Sequence, residues 1–365
     1  INQINSLAVF TTPPALVCSP TTVANCLASA AALGNQTYVA SATLRAPYTM
    51  QFQIGGDHQL FRGATVSVNY LHTIGVHQFL SRVSSTSPTQ YQYISEGEFR
   101  QNQIIANFNL RNSKYYSLAG FYSLNFANGD ASGASYFPTN SNNIKGDYGR
   151  TTFSTRNRLF LSGTINAPFK ISLSPFVIAS SGSPYNLTTG TDVNGDSKIN
   201  DRPSFANGSS GRCTVAGDFV TPALGTVNYN PVPINYCTGP TQFVANLRVS
   251  RTFGFGPLTD AARARAAAQN GPGGGGPGGE RGGGGRGGPG GGGGRGGGFG
   301  SNTGHQYNLS VGAQAQNLFN YKALSTPVGV LSSKQLFGTS TQLAGRPFTN
   351  GSAVERLQLF LSFNF

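Results

Sequence analysis

The stretch of this chain best equipped for chemistry is DVNGDSKIND, Asp192 to Asp201. Asp192, Asn194 and Asp196 alternate as the first, third and fifth oxygen ligands of an EF-type calcium loop do, and the Lys198 carbonyl stands at the seventh position. Two departures weaken the match. Ser197 holds the sixth position, where such loops use Gly for a sharp turn, and Pro203 stands where a bidentate Glu closes the shell, so Asp201 is the one further carboxylate in reach. The spacing predicts a weak calcium site of Asp192, Asn194, Asp196, Lys198 and Asp201. The competing reading is a metal-free loop in which the same side chains bond to their own backbone in Asx-turns.

Other reactive residue types do not assemble a catalytic set. His72 and His77 have Asp57 and Glu96 as conceivable partners, yet nothing fixes a nucleophile, base and orienting group together, and G-x-S-x-G is absent. Gly254 and Gly256 follow a strand without a third glycine or a helical crossover, so they do not read as a dinucleotide fingerprint. The chain reads as a non-enzyme. His is scarce and C-x2-C spacing is absent, which argues against a zinc site. The four cysteines fall into two close pairs, Cys18 with Cys26 and Cys213 with Cys237. Two local disulfides in an oxidising compartment are the economical reading, with unpaired thiols as the alternative.

Between Ala261 and Gly300 the sequence is almost entirely glycine, proline, alanine and arginine. It is too poor in apolar side chains to hold a fixed backbone and reads as a disordered insert. Its five arginines against one glutamate give it net +4, part of a chain total of +13. Arg-Gly-Gly repeats also serve nucleic-acid binders, where Arg contacts phosphate and stacks on bases. No aromatic platform interleaves with these arginines, so nucleic acid is not the expected partner; contact with anionic envelope polymers or lipid is the simpler expectation.

The elements that would carry these groups follow from composition and period. Only 10% of the 365 residues are Asp, Glu, Lys or Arg, well below the ~25% of soluble domains. At 38% hydrophobic, with no run of about 18 apolar residues, the chain does not suit a helical membrane protein. Alternation of period two recurs instead. Apolar faces are Tyr48, Met50, Phe52 and Ile54; Ala64, Val66, Val68 and Tyr70; Ile104, Ala106, Phe108 and Leu110; and Tyr116, Leu118, Tyr122 and Leu124. They continue at Leu159, Leu161 and Ile165; Ile171, Leu173 and Val177; Phe243, Ala245, Leu247 and Val249; Tyr307, Leu309, Val311, Ala313 and Ala315; and Leu357, Leu359, Leu361, Phe363 and Phe365. Short links near His58 to Phe61, Arg111 to Ser113 and Asn166 to Phe169 alternate with long polar stretches at Gln78 to Glu98, Ala127 to Thr155, Tyr185 to Thr241 and Asn320 to Ser352. This is the plan of an all-β, antiparallel, up-and-down transmembrane barrel with tight periplasmic turns and long extracellular loops, and it fits better than a soluble sandwich. The 261–300 insert then falls at a periplasmic turn, and both cysteine pairs fall outside the cell.

Four segments resemble one family. Pro47 to His77, Ser181 to Pro203, AQNLFNY at Ala315 to Tyr321 and the closing RLQLFLSFNF are similar to the C-terminal barrel of Oar-like TonB-dependent receptors. That resemblance implies an outer-membrane receptor with a signal peptide, a small β domain, an energy-coupling segment, a plug and a 22-stranded barrel. None of the N-terminal parts is read in residues 1–365, and nine strands is an odd number. The expectation is therefore the C-terminal portion of a larger barrel, about nine to ten strands, with Ile1 to Phe10 as a weakly alternating candidate for the tenth. The implied partners are outer-membrane lipid, a TonB-type energy-coupling protein and an unidentified extracellular substrate. The implied function is import, with adhesion by a surface barrel without transport as the alternative. The terminal aromatic, Phe365, is similar to the assembly signal of this class.

Overall fold

The computed structural model describes residues 37–84, 90–112, 115–226, 229–264, 303–345, 347–348 and 353–365. Nine long strands form one meander: β1 Tyr48–Phe61, β2 Ala64–Val83, β3 Gln90–Asn112, β4 Tyr116–Gly129, β5 Asn157–Ala167, β6 Ile171–Ser180, β7 Gln242–Leu258, β8 His305–Gln316 and β9 Arg356–Asn364. Each pairs antiparallel with its neighbours in chain order, and they are the nine that the alternation predicts. Two short pieces join the main sheet: Gly149–Arg150 beside β4, and Thr37–Ala40, which pairs parallel with β3 and so departs from an all-antiparallel sheet. No helix among the described residues is long and apolar enough to cross a membrane.

Register turns the alternation into two faces. Directly opposed residues share a face, and Val68, Ala106, Tyr122, Leu159, Ala179 and Phe243 follow one another across six strands. Leu173, Val249, Ala313 and Leu359 continue the same face to the end of the sheet. This face is bare, with Ile54 at 73% and Leu359 at 80% of full exposure. The other face is mainly polar and is covered in part. Ser123, Asn125, Thr252 and Ser310 are buried on it, and Gln101 donates to Asn125 at 2.7 Å, Gln103 to Ser123 at 2.9 Å, while the Thr252 and Ser310 hydroxyls lie 2.9 Å apart. Water would drive the reverse arrangement. Hydrocarbon outside and a wet interior account for this one, as they do in transmembrane barrels. Exposed aromatics mark both rims of the apolar band, with Phe61, Phe169, Phe255 and Phe363 at the short-turn end and Tyr48 and Phe126 at the other.

Glycines let aromatic rings cross the sheet. A Cβ on Gly312 would meet the Phe360 ring at 2.3 Å, and one on Gly120 would meet Phe108 at 2.4 Å. Within the described residues β1 and β9 each have a single long neighbour, so the sheet stays open at both edges.

One expected loop is a strand pair. Gln78 to Glu98 reads as a long polar link, yet β2 runs to Val83 and β3 starts at Gln90, with Leu80 opposite Ile94. A bulge between Gly75 and Leu80, where His77 takes a left-handed φ of 58°, slips the period and hides the continuation. The candidate strand at Ile1 to Phe10, both residues of the Cys18 and Cys26 pair, and residues 265–300 of the glycine-rich insert lie outside the described residues.

Candidate functional site

The long connections lie together at one end of the sheet and build a cap with its own core. Tyr185, Leu187, Phe219, Val232, Cys237, Leu331 and Phe337 form one buried cluster, drawn from the β6–β7 connection and the β8–β9 connection. A second cluster joins the extended ends of β2 and β3, through Leu80 and Ile94, to Ile144 of the β4–β5 connection. Loops this long are ordinarily mobile, and buried apolar contact is what opposes their conformational entropy. Cys213 and Cys237 are bonded, with Cα atoms 5.8 Å apart across 24 residues, as the close spacing predicts.

Arginines tie the loops to each other. Arg202 is 1% exposed and pairs with Asp147 of the β4–β5 connection, which also accepts from the Tyr136 hydroxyl at 2.7 Å and the Thr139 amide at 2.8 Å. The same guanidinium donates to the Val232 carbonyl at 2.8 Å and the Gly146 carbonyl at 2.9 Å. Burial, then the Asp147 charge, pushes the Tyr136 hydroxyl well above its usual range, so it stays a donor. Arg150 reaches from the edge of β4 to the carbonyls of Asn235, Tyr236 and Cys237, beside the disulfide. Exposed Arg212 bonds the buried Asp218 at 3.2 Å and holds that carboxyl below its ordinary range. Sequence reading missed this network. The available signal was the presence of Asp147, Arg150 and Arg202 inside polar stretches of a chain with so few charges.

A cavity of about 710 Å³ opens among these loops, lined by Asp147, Asn194, Arg202, Tyr229 and Ile234 among others. Its size is that of a small-molecule site, and its walls mix a fixed ion pair, amides and an aromatic ring.

Of the predicted calcium residues, Asn194 lines this cavity. Asp192 Oδ1 accepts from the Gly195 and Asp196 amides at 2.7 and 3.2 Å, and its Oδ2 from the Ser197 amide at 2.8 Å. Asn194 Oδ1 accepts from Asp196 N at 3.0 Å, and Asp196 Oδ1 from Lys198 N at 2.9 Å. Asp201 is fully buried and takes the Val193 and Asn194 amides on Oδ2. Burial first, and then the charges of Asp192 and Asp201, push the Asp196 carboxyl up to about 6. The Lys198 ammonium turns away, over Tyr91 at 3.7 Å and Phe137 at 3.9 Å. Among the described residues no group of three His, Cys, Asp or Glu side chains is placed to hold a metal ion.

Of the residue types suited to catalysis, His77 and Glu96 line one opening, while His72 and Asp57 lie elsewhere on the sheet. His72 lies on the apolar face opposite Phe52 and bonds Asn102 at 2.8 Å, whereas Asp57 is on the polar face opposite Ser67. His77 contacts the Ser95 carbonyl at 3.3 Å, and Glu96 faces Arg82 at 3.9 Å.

A bare apolar band, a wet inner face, aromatic rims and a loop cap define an outer-membrane β-barrel. Residues 2–270 match the family model for the outer membrane beta barrel domain. The chain belongs to that family and is a protein of the outer membrane, in contact with its lipid. No curated protein sequence matches it. Among solved structures it is similar to the outer membrane transporter YddB from Escherichia coli, at 9% identity and a TM-score of 0.43, over 90% of this chain. The chain spans 34% of that transporter's length.

Proposed function

We propose that the chain forms part of the barrel wall of a TonB-dependent importer and that its cap captures the substrate from outside the cell. The observation that carries this reading is the cap itself: loops with a private core, a disulfide and a buried ion pair surround a polar cavity of about 710 Å³. Such preorganisation limits the ordering cost of binding a small polar solute. The polar inner face supplies a hydrated route for that solute beside the sheet. Both open edges support completion of the wall by further strands of a longer protein, which would also carry the plug and the segment that engages the energy-coupling partner. The resemblance of Ser181 to Pro203 and of the closing strand to Oar-like receptors supports the same assignment.

The test is cross-linking in living cells between the full-length protein and the periplasmic domain of the TonB-type coupling protein. Import predicts a cross-link that strengthens when the cap cavity is filled. A barrel that holds extracellular polymers by its loops, without transport, predicts surface binding and no cross-link.

A further inference from the structure

We infer that the Asp192 to Asp201 loop is a calcium site that locks the cap, with Asp192, Asn194, Asp196, the Lys198 carbonyl and Asp201 as protein ligands. The inference stands whether or not the barrel imports.

The backbone already has the turn that such a loop requires. Gly195 and Ser197 take left-handed φ values of 80° and 67°, so Ser197 makes the sharp bend at the position where Gly is usual. The Asp192 carboxylate accepts three successive loop amides, from Gly195, Asp196 and Ser197, which gathers the turn around it. These bonds alone are equally those of an Asx-turn loop.

What points to an ion is the acceptor capacity left over. Asp201 is 0% exposed, and while its Oδ2 rests on the Val193 and Asn194 amides, its Oδ1 has no hydrogen-bond donor. Asp196 Oδ2 is likewise shielded from solvent and has no donor. The two cations of the segment do not neutralise them: Lys198 lies over Tyr91 and Phe137, and Arg202 is engaged by Asp147 and carbonyl oxygens. A buried carboxylate oxygen without a donor or counter-charge is strongly unfavourable, and a buried charge is ordinarily paired or bound to metal. All five donors are oxygens, and one is a backbone carbonyl, which suits a hard cation that accepts irregular geometry. Calcium meets that description better than magnesium, which demands a near-ideal octahedron. The carboxylates do not converge in threes among the described residues, so the proposed site requires a closing of the loop.

Closing has a consequence for the cavity. The outer side of the loop is docked on the β4–β5 connection, with Asn194 Nδ2 donating to the Thr139 carbonyl at 2.7 Å and Asn200 Nδ2 to the Phe137 carbonyl at 2.9 Å. Asn194 and Thr139 both line the cavity. Calcium at this point holds two of the cap's loops together beside that opening.

The experiment uses the full chain folded in detergent micelles, with calcium chloride as the probe and magnesium chloride as the comparison. Trypsin cleavage after Lys198, next to the exposed Ile199, reports opening of the loop. An open shell without a bidentate Glu puts Kd at about 10⁻⁴ to 10⁻³ M, so about 10 mM calcium slows cleavage by about tenfold or more. Protection by calcium but not by magnesium, lost in Asp192→Asn with Asp196→Asn, supports the site. Absence of protection, equal protection by magnesium, or protection that persists in the double variant overturns it. If the double variant fails to form the Cys213–Cys237 bond, Asp201→Asn decides the matter: protection lost supports the site, and protection retained overturns it.

Discussion

Placing an arginine at Leu359 separates a lipid-facing strand from a water-facing one. Strand β9 has nine residues, about 30 Å of chain at ~3.3 Å per residue, and a tilt of ~40° turns this into roughly 23 Å of height, close to the ~25 Å apolar band of an outer-membrane barrel. Leu359 is the fourth residue of the strand, so its Cα lies within about 3 Å of mid-band by the same arithmetic. Its side chain is 80% exposed and sits opposite Ala313 on the apolar face. In water, Leu359→Arg would remove an exposed apolar group and cost nothing. In hydrocarbon, an arginine at the midplane costs about 2 to 4 kcal/mol, a roughly 30- to 800-fold change in the folding equilibrium. Gln358→Arg, one residue away on the polar face opposite Gln314, is the matched control and changes little. The assay is urea-titrated folding into lipid vesicles, read by tyrosine fluorescence, since the chain has 15 Tyr and no Trp. Equal stabilities for Leu359→Arg and Gln358→Arg would refute the assignment of faces.

The cap gives three further expectations. Arg202→Ala leaves Asp147 buried without its partner and destabilises the cap by about 3 to 5 kcal/mol, seen as rapid proteolysis of the 181–241 connection while the strands stay protected in hydrogen exchange. Removing Cys213 and Cys237 together reopens a closed loop of 24 residues; chain entropy assigns about 3.5 kcal/mol to that bridge, and thermal melts should show loss of the cap transition before the barrel transition. The Arg212 contact lowers the Asp218 carboxyl, so the stability it lends is fully present above the ordinary Asp range and is lost as pH falls through the lowered value. Asp218→Asn should abolish this acid loosening of the 204–220 segment, as measured by exchange at pH about 3 against pH about 6.

Strands were legible wherever one residue in two faces hydrocarbon, because that constraint writes a period of two directly into the sequence. All nine long strands carry it, from Tyr48 to Asn364. The pattern failed where strands leave the bilayer. Beyond the bulge at His77, β2 and β3 are packed against Ile144 and Ala131 instead of lipid, so polar and apolar residues fall on either side. The cap was not legible either. Its core residues, such as Leu187, Phe219, Val232 and Leu331, are far apart in sequence and follow no period, and its buried charges Asp147 and Arg202 meet across 55 residues. Only two local signals in it could be read ahead of the structure: the spacing of Cys213 and Cys237, and the alternating oxygens of Asp192, Asn194 and Asp196.

The measurement closest to the central claim is surface labelling of single cysteines in intact cells, with the parent protein as background. Lys334 lies exposed in the cap and Arg62 lies exposed in the short turn at the opposite end. A membrane-impermeant maleimide should modify Lys334→Cys in intact cells and Arg62→Cys only after the outer membrane is permeabilised. Labelling of both positions in intact cells, or of Arg62→Cys alone, would contradict a barrel that presents its loop cap to the outside.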